Sequence, residues 1–357
     1  MTFRVFAPGR VNLIGDHTDY LGGLVLPFAI QLGVTVEVDA CEARIELLSD
    51  AEAGVLRLDL PIDPNDSVAE ITPAWGRYVA GAAQAIGATT GIAGTISSTL
   101  PLGAGLSSSA ALSVGVAAAF KTAAGQEWDR RELALAAQRG EQASTGVPCG
   151  IMDQLAIACG AAGAAVRIDC HDLTTRLVAV PEDATIRVIH SGQSRELATS
   201  EYARRRHECE AAERIVGPLR SATLDDLVPL AERADHDHDR GNDRGDDVLL
   251  RRARHVVTEN ARVDEVIDAF GRGDLEGAGD ALWRGHRSLA EDFDTSTPVV
   301  DDLIAHLRAT DGVYGARMTG AGFGGCVVAL CRAGFDPTPD GLASWEVRPN
   351  EGVRLLG

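Results

Sequence analysis

The stretch Pro101-Leu-Gly-Ala-Gly-Leu-Ser-Ser-Ser-Ala-Ala111 separates a predicted β-strand over 91–100 from a predicted alanine-rich helix over 109–124. Gly103 and Gly105 allow a ligand to approach the backbone closely, because glycine has no Cβ atom. The helix that follows offers unpaired N–H groups and the positive end of its dipole. A strand, a glycine loop and a helix N-terminus in this order predict a polyphosphate site.

Three hydroxyl side chains, Ser107, Ser108 and Ser109, follow the glycines. They could donate hydrogen bonds to phosphate, and one of their oxygens could ligate Mg²⁺. The Walker pattern is absent because no lysine follows the glycines, and Lys121, the only lysine, lies far along the predicted helix. The alternative interpretation is a tight turn in which a serine caps the helix.

A second glycine-rich segment, Arg317-Met-Thr-Gly-Ala-Gly-Phe-Gly-Gly-Cys326, contains the G-x-G-x-x-G spacing at Gly320, Gly322 and Gly325. It leads into a predicted strand and not into a helix, which is the wrong context for dinucleotide binding. Two interpretations stay open at this point. The segment is either a hairpin turn or a loop that supports the phosphate site from another domain.

Charged side chains are concentrated near the N-terminus, in Gly9-Arg-Val-Asn-Leu-Ile-Gly-Asp-His-Thr-Asp-Tyr-Leu-Gly-Gly23. The carboxylates of Asp16 and Asp19 could accept hydrogen bonds from neighbouring hydroxyls of a polyol, and His17 adds a further polar contact. The segment therefore predicts a sugar site, with a solvated loop as the alternative.

A third segment, Glu141-Gln-Ala-Ser-Thr-Gly-Val-Pro-Cys-Gly-Ile-Met-Asp-Gln-Leu155, places Asp153 among apolar residues at a predicted helix start. Such a carboxylate either caps the helix or takes part in chemistry. An association with Arg10 would favour the second role, because a nearby guanidinium stabilises an ionised aspartate.

The chain has 357 residues and is 45% hydrophobic, which is enough for two domains with sizeable cores. A shift in composition near residue 185 predicts domains over 1–185 and 186–357. Strands and helices are partly segregated, which favours an α+β fold over a regularly wound parallel sheet.

Hydrophobic periodicity predicts the remaining elements. Helices are predicted over 75–87, 130–144, 248–272 and 274–292, near 151 and from 200 onwards, and strands over 32–39, 166–169, 175–180, 185–190, 312–318 and 326–330. A polar, glycine-containing charge run over 234–247 is predicted to be an exposed loop. His236 and His238 in this run are better explained by solvation than by a metal site, because no scaffold or third ligand is evident.

The net charge is −19, from 33 basic and 52 acidic residues. Such acidity repels nucleic acid and anionic membranes, so an anionic ligand needs local positive potential. No stretch approaches the roughly 20 apolar residues of a membrane span, which predicts a cytoplasmic protein. The seven cysteines are scattered, which argues against a disulfide framework or structural zinc.

In combination and in this order, the segments resemble the galactokinases of the GHMP kinase superfamily. The match covers essentially the whole chain, with 9–20 as the galactokinase signature, 101–110 as the ATP loop, 317–326 as the third motif, and further blocks at Cys149-Gly-Ile-Met-Asp-Gln154, Ser200-Glu-Tyr-Ala-Arg-Arg-Arg206 and Val347-Arg-Pro-Asn-Glu-Gly-Val353. The resemblance implies an N-terminal ribosomal-protein-S5-domain-2-like domain and a C-terminal ferredoxin-like domain, with the active site in the cleft between them.

The resemblance also implies ATP-dependent phosphorylation of α-D-galactose at its C1 hydroxyl, the first committed step of galactose catabolism. Mg²⁺ is the implied cofactor, and the implied partners are galactose and ATP, bound by a monomer or weak dimer. Carried over by position, Asp153 is the catalytic carboxylate and Arg10 is the cation beside it. The remaining positions are sugar contacts (Asp16, His17, Asp19, Gly150 and Tyr202), nucleotide contacts (Gly103, Gly105, Leu106, Ser107 and Ser108) and magnesium ligands (Ser109 and Glu141).

One position departs from the family pattern. Galactokinases usually carry glutamate where this chain has Asp16, at a position that resembles a contact to the C6 hydroxyl of the sugar. The shorter side chain predicts galactose as the best substrate, with broader tolerance at C6. The alternatives are a kinase for a related sugar, such as N-acetylgalactosamine or L-arabinose, and a non-catalytic galactose and ATP sensor. The intact run over 107–111 argues against the sensor.

Overall fold

The computed structural model describes residues 2–101, 103–194, 198–239 and 245–356. Within them the strands are β1 (Thr2–Asn12), β2 (Leu24–Val25), β3 (Pro27–Cys41), β4 (Arg44–Ser49), β5 (Val55–Asp59), β6 (Gly91–Ser98), β7 (Ala164–Asp169), β8 (Thr174–Ala179), β9 (Ala184–His190), β10 (Val313–Met318), β11 (Cys326–Arg332), β12 (Ser344–Val347) and β13 (Arg354–Leu356). The helices are α1 (Gly76–Ile86), α2 (Ser108–Ala123), α3 (Arg130–Thr145), α4 (Met152–Cys159), α5 (Ala198–Val216), α6 (Val228–Asp239), α7 (Asp246–Gly271), α8 (Leu275–Glu291) and α9 (Pro298–Arg308). The predicted α+β class is confirmed.

These strands form three sheets. The largest has six strands in the order β13-β1-β3-β6-β4-β5, and its pairs are antiparallel except for β4 with β6. The others have the orders β10-β11-β9-β12 and β2-β7-β8. The C-terminal strand β13 returns to pair with β1, whereas the four-stranded sheet begins at Ala184. The domain boundary near residue 185 stays a prediction.

The six-stranded sheet carries the first part of the site because α2 packs closely on it. Alternation along β3 buries Val34, Val36 and Val38, so that this face of the sheet is apolar. At Gly115 of α2, an added Cβ would stand 3.1 Å from the Cβ of Ala7 on β1. This close contact fixes the N-terminus of α2 relative to β1.

A second close contact joins α8 to β10. An added Cβ at Gly279 would lie 2.1 Å from the carbonyl oxygen of Tyr314, and one at Gly315 would lie 2.3 Å from the carbonyl oxygen of Gly279. Only glycine allows two backbones to approach this closely. The contact holds the glycine-rich turn after β10 beside the helices of the C-terminal half.

The elements predicted from periodicity are confirmed, with one exception over 234–247. Helix α6 continues to Asp239 and α7 begins at Asp246, so the predicted loop is wrong at both ends. The run contains no glycine or proline before Gly241, and nothing earlier interrupts the helical backbone. Residues 240–244 and the side chains of His236 and His238 lie outside the described residues.

None of the helices in the described part of the chain is both long and apolar enough to cross a membrane. All seven cysteines are free thiols.

Candidate active site

A cavity of about 770 Å³ lies where β1, the loop after β6, the start of α4 and the turn between β10 and β11 meet. Its wall contains every residue that the resemblance implies for the site, namely Arg10, Asp16, His17, Asp19, Gly103, Gly105, Leu106, Ser107, Ser108, Ser109, Glu141, Gly150, Asp153 and Tyr202. Segments that are distant in sequence therefore converge on one cavity.

An ion pair between Arg10 and Asp153 stands at the centre of this cavity. The Arg10 Nε donates to Asp153 Oδ1 at 2.7 Å, and its Nη2 donates to Oδ2 at 2.8 Å. The remaining nitrogen, Nη1, donates to the carbonyl oxygen of Gly105 at 2.8 Å. This bidentate contact fixes the orientation of the Asp153 carboxylate and attaches it to the glycine loop, which is the association with Arg10 that favours a chemical role.

The hydroxyl of Ser107 also belongs to this group. Ser107 precedes α2 in a left-handed conformation with φ 60, and its side chain makes no capping hydrogen bond to the helix. Its Oγ donates instead to Asp153 Oδ2. The capping interpretation is therefore wrong for Ser107. The N-terminus of α2 lines the cavity, and the N–H groups of its first turn have no partner within the helix.

A second carboxylate lies along the same wall. Glu141 on α3 accepts a hydrogen bond from Ser109 Oγ at 2.7 Å through Oε1 and one from Gln154 Nε2 at 2.7 Å through Oε2. Burial raises the pKa of Glu141, although the hydrogen bond from Ser109 opposes this shift. Ser109 and Glu141 thus place a hydroxyl and a carboxylate oxygen side by side.

The sugar segment contributes Asp19, which packs against Gly150. A Cβ added at Gly150 would lie 1.7 Å from Asp19 Oδ2, so a larger residue there would displace the Asp19 carboxylate. Burial raises the pKa of Asp19 to about 7, and the nearby charge of Asp153 adds to this effect. Asp19 is therefore a carboxyl group that changes protonation near neutral pH.

Aromatic rings surround His17 on the other side of the segment. Its ring centroid lies 4.7 Å from that of Phe293 and 5.7 Å from that of Tyr202. Burial lowers the pKa of His17 to about 3, and the neighbouring His255 contributes to this shift. The imidazole is therefore neutral at ordinary pH, and a neutral imidazole has both a donor and an acceptor nitrogen for hydroxyl groups.

The glycine-rich segment over 317–326 is a hairpin turn, since it joins the antiparallel pair β10 and β11. The backbone N–H of Gly320 donates to Asp16 Oδ1 at 2.9 Å, and Gly320 and Ala321 line the cavity. The turn thus contacts the sugar segment. Of the two interpretations left open by the sequence, the hairpin is confirmed.

Comparisons with known proteins agree with this geometry. The family model of the galactokinase galactose-binding signature matches residues 2–40, and the GHMP kinase N-terminal and C-terminal models match residues 77–161 and 266–339. The crystal structure of Lactococcus lactis galactokinase complexed with galactose is 30% identical, with a TM-score of 0.86 over 99% of this chain and 95% of that chain. The chain belongs to the galactokinase family.

More distant structures share only the fold with this galactokinase family member. The mevalonate kinase of Methanococcus jannaschii is 18% identical, with a TM-score of 0.61 and 98% coverage of both chains. The two-domain GHMP kinase fold implied by the resemblance is thereby confirmed.

The cavity wall of this galactokinase family member also contains residues that were not predicted as site residues, among them Gln154, His190 and Ser194. Gln154 could have been found, because it directly follows Asp153 in a block that matches the family. His190 ends β9 and Ser194 follows it, and no local motif marks either of them. Their presence in the wall depends on how the four-stranded sheet packs against the N-terminal half.

Proposed function

We propose that this protein transfers the γ-phosphoryl group of ATP to the C1 hydroxyl of galactose, giving galactose 1-phosphate and ADP. The observation that carries this proposal is the group formed by Arg10, Asp153 and Ser107, which joins the glycine loop to the sugar segment within one cavity. The galactose-binding signature over 2–40 supports galactose as the sugar.

In the reaction, the C1 oxygen forms a bond to the γ-phosphorus while the bond from that phosphorus to ADP breaks. Asp153 accepts the proton of the C1 hydroxyl, and the two hydrogen bonds from Arg10 hold its carboxylate in place for this step. Phosphoryl transfer has a loose transition state, so catalysis depends on positioning and on neutralising charge. Arg10 and the N-terminus of α2 supply positive potential that the acidic chain otherwise lacks.

Ser109 and Glu141 would hold Mg²⁺ in this site. Both offer oxygen atoms, the ligands that this cation prefers, and their oxygens lie 2.7 Å apart. Among the described residues, no arginine or lysine forms an ion pair with Glu141, so a cation there would offset the cost of its burial. When bound, Mg²⁺ would supply charge neutralisation on the phosphates.

The other cavity residues divide between the two substrates. Gly103, Gly105, Leu106, Ser107 and Ser108 surround the phosphate groups of ATP, whereas Asp16, His17, Asp19, Gly150 and Tyr202 bind the sugar. Asp16 faces the C6 hydroxyl in this arrangement. The close approach of Gly150 to Asp19 and the aromatic surroundings of His17 support a shaped sugar pocket.

A coupled assay of ADP release tests the proposed function directly. Galactose, N-acetylgalactosamine and L-arabinose are compared at saturating ATP and Mg²⁺, and we expect the highest kcat/KM for galactose. Saturable binding of ATP and galactose without ADP release would contradict a kinase activity. A higher kcat/KM for another sugar would contradict the assignment of galactose.

Replacing Gly150 by alanine tests the sugar pocket. The new Cβ cannot coexist with the Asp19 carboxylate, and overpacking costs about 1–3 kcal/mol, so we expect KM for galactose to rise by about tenfold or more. KM for ATP should change little. Gly271→Ala is the matched control, because an added Cβ there meets no atom within 4 Å. Equal galactose KM values in both variants would contradict a sugar contact at Gly150.

Replacing Asp19 by asparagine tests the buried carboxyl group by its effect on stability. Burial raises the pKa of Asp19 to about 7 from the usual 3.8, so ionisation of Asp19 opposes folding increasingly as the pH rises through this interval. We expect Asp19→Asn to raise the Tm of the ligand-free protein by at least about 2 °C at pH 8. This gain should shrink below pH 7 and nearly disappear at pH 4. A gain that is independent of pH would contradict the raised pKa.

A further inference from the structure

A buried ion network connects Asp16 to the middle of α7. The guanidinium of Arg317, which is 0% exposed, has its Nη2 2.8 Å from Asp16 Oδ2. Its Nη1 donates to Glu259 Oε1 at 2.5 Å, and Glu259 is also 0% exposed. Arg317 therefore bridges a carboxylate of the cavity wall and a carboxylate of the C-terminal half. Neither Glu259 nor Arg317 lines the cavity itself.

The same network also holds the backbone beside Asp16. The N–H of Gly15 donates to Glu259 Oε1 at 2.8 Å, and the N–H of Gly320 donates to Asp16 Oδ1 at 2.9 Å. Asp16 thus accepts a hydrogen bond from Gly320 through Oδ1 and forms an ion pair with Arg317 through Oδ2. The position of its carboxylate depends on residues that are far away in the sequence.

Acidic and basic side chains are paired inside the network. Arg262 Nε donates to Glu259 Oε2 at 2.8 Å, so two guanidinium groups face the carboxyl groups of Glu259 and Asp16. Burial raises the pKa of Asp16, and the charge of Arg317 opposes this shift. Burial alone would raise the pKa of Glu259, but the charges of Arg317 and Arg262 outweigh it and hold that pKa well below its usual range. Glu259 is therefore a fixed negative charge behind Arg317.

Stability alone is a poor explanation for four buried charges. The desolvation of a buried ion pair costs about as much as its attraction returns, and apolar replacements are often as stable or more so. What an apolar group cannot supply is the ion pair with Asp16. The network therefore fixes the orientation of the Asp16 carboxyl group, which is a hydrogen-bond acceptor in the cavity wall.

We propose that Glu259 and Arg317 are positioning residues that set discrimination at the C6 hydroxyl of the sugar by orienting Asp16. This inference rests on the proposed function, in which Asp16 faces that hydroxyl. Arg317 acts on Asp16 directly, and Glu259 acts through Arg317 and through the N–H of Gly15. Both residues belong to the C-terminal half, and they act on sugar selection without touching the sugar themselves.

The test compares galactose with 6-deoxygalactose, which lacks the C6 hydroxyl. Glu259→Gln preserves the size of the side chain and an acceptor for Gly15 but removes the charge behind Arg317. We expect kcat/KM to fall about tenfold for galactose and by less than about threefold for 6-deoxygalactose, because only galactose uses the contact to Asp16. In an Asp16→Ala background, Glu259→Gln should no longer change the ratio of kcat/KM for galactose to kcat/KM for 6-deoxygalactose.

Gly285→Ala provides a second variant that removes no charge. An added Cβ at Gly285 would stand 3.0 Å from Arg317 Nη1, so it displaces the guanidinium slightly, while alanine favours the helix. We expect the ratio of kcat/KM for galactose to kcat/KM for 6-deoxygalactose to fall in Gly285→Ala as well, but by a smaller factor. The matched control is Glu265→Gln on α7, the helix that also carries Glu259. It removes a carboxylate that pairs with Arg284 at the surface.

If kcat/KM falls equally for the two sugars in Glu259→Gln and in Gly285→Ala, the role of the network is merely structural and the inference is overturned. An unchanged ratio in Gly285→Ala also overturns it if Glu259→Gln does not fold. If the wild-type protein fails to phosphorylate galactose, the proposed function fails separately. The ratio of the Kd values for the two sugars, measured by calorimetry, then decides the inference.

Discussion

We expect Asp153→Asn to lower kcat by about 10²-fold or more, which is the size of a general-base contribution, while galactose still binds. Asparagine has the shape of aspartate and retains one oxygen for Arg10 Nε or Nη2, so the walls of the cavity stay in place. It cannot accept the proton of the C1 hydroxyl as a carboxylate does. The loss should therefore appear in the chemical step.

Single-turnover kinetics and calorimetry with galactose separate the two effects in Asp153→Asn. The matched control is Asp264→Asn, since Asp264 also pairs with an arginine, Arg167, but does so at the surface. The control should retain wild-type kcat. If Asp153→Asn turns over galactose at a nearly normal rate, Asp153 has no part in the proton transfer.

The second large effect is expected for Arg10→Lys, with kcat/KM for galactose lower by about 10²–10³-fold. The Arg10 guanidinium contacts both oxygens of Asp153 and the carbonyl oxygen of Gly105 at once. A lysine ammonium is a compact charge on a flexible stem and cannot reproduce this fork. Because lysine retains the positive charge, the fall in kcat/KM would result from the lost hydrogen-bond geometry.

The assay of ADP release measures kcat/KM for Arg10→Lys. Arg167→Lys at the exposed pair with Asp264 serves as the control and should retain the wild-type kcat/KM. Activity of Arg10→Lys within about threefold of wild type would show that a charge at this position suffices, without the bidentate contact.

Local chemistry made much of the site predictable. Gly103 and Gly105 both have positive φ values, of 72° and 70°, which a glycine-rich loop before a helix indicates from sequence. The predicted ends of the helices also agree with the structure where a glycine or a capping side chain marks them. Helix α3, for example, begins after Asp129, whose side chain accepts from the Glu132 N–H, and ends at Gly146.

Other site residues carry no local signal of their role. Glu259 lies in α7 between the buried residues Val256 and Val263, and a charged residue on an apolar helix face can indicate a buried ion pair. Its partners, Arg317 and the Gly15 N–H, cannot be read from that pattern. His190 and Ser194 likewise enter the cavity only because β9 lies in the central part of a sheet that reaches the cavity.

From the sequence alone followed most of the helices, several of the strands, the glycine loop before α2 and the chemical character of each segment, because these depend on backbone sterics and hydrogen bonding over a few residues. Only the tertiary structure decided that Arg10 meets Asp153, 143 residues away, that Ser107 bonds to Asp153 and does not cap its helix, and that Arg317 pairs with Asp16. Such contacts form when β1, α2 and α4 pack around one core and α8 packs against both α7 and β10. The free energy of these contacts depends on the balance between the desolvation of buried groups and their charge pairing, and this balance is set by the packing of the whole folded chain.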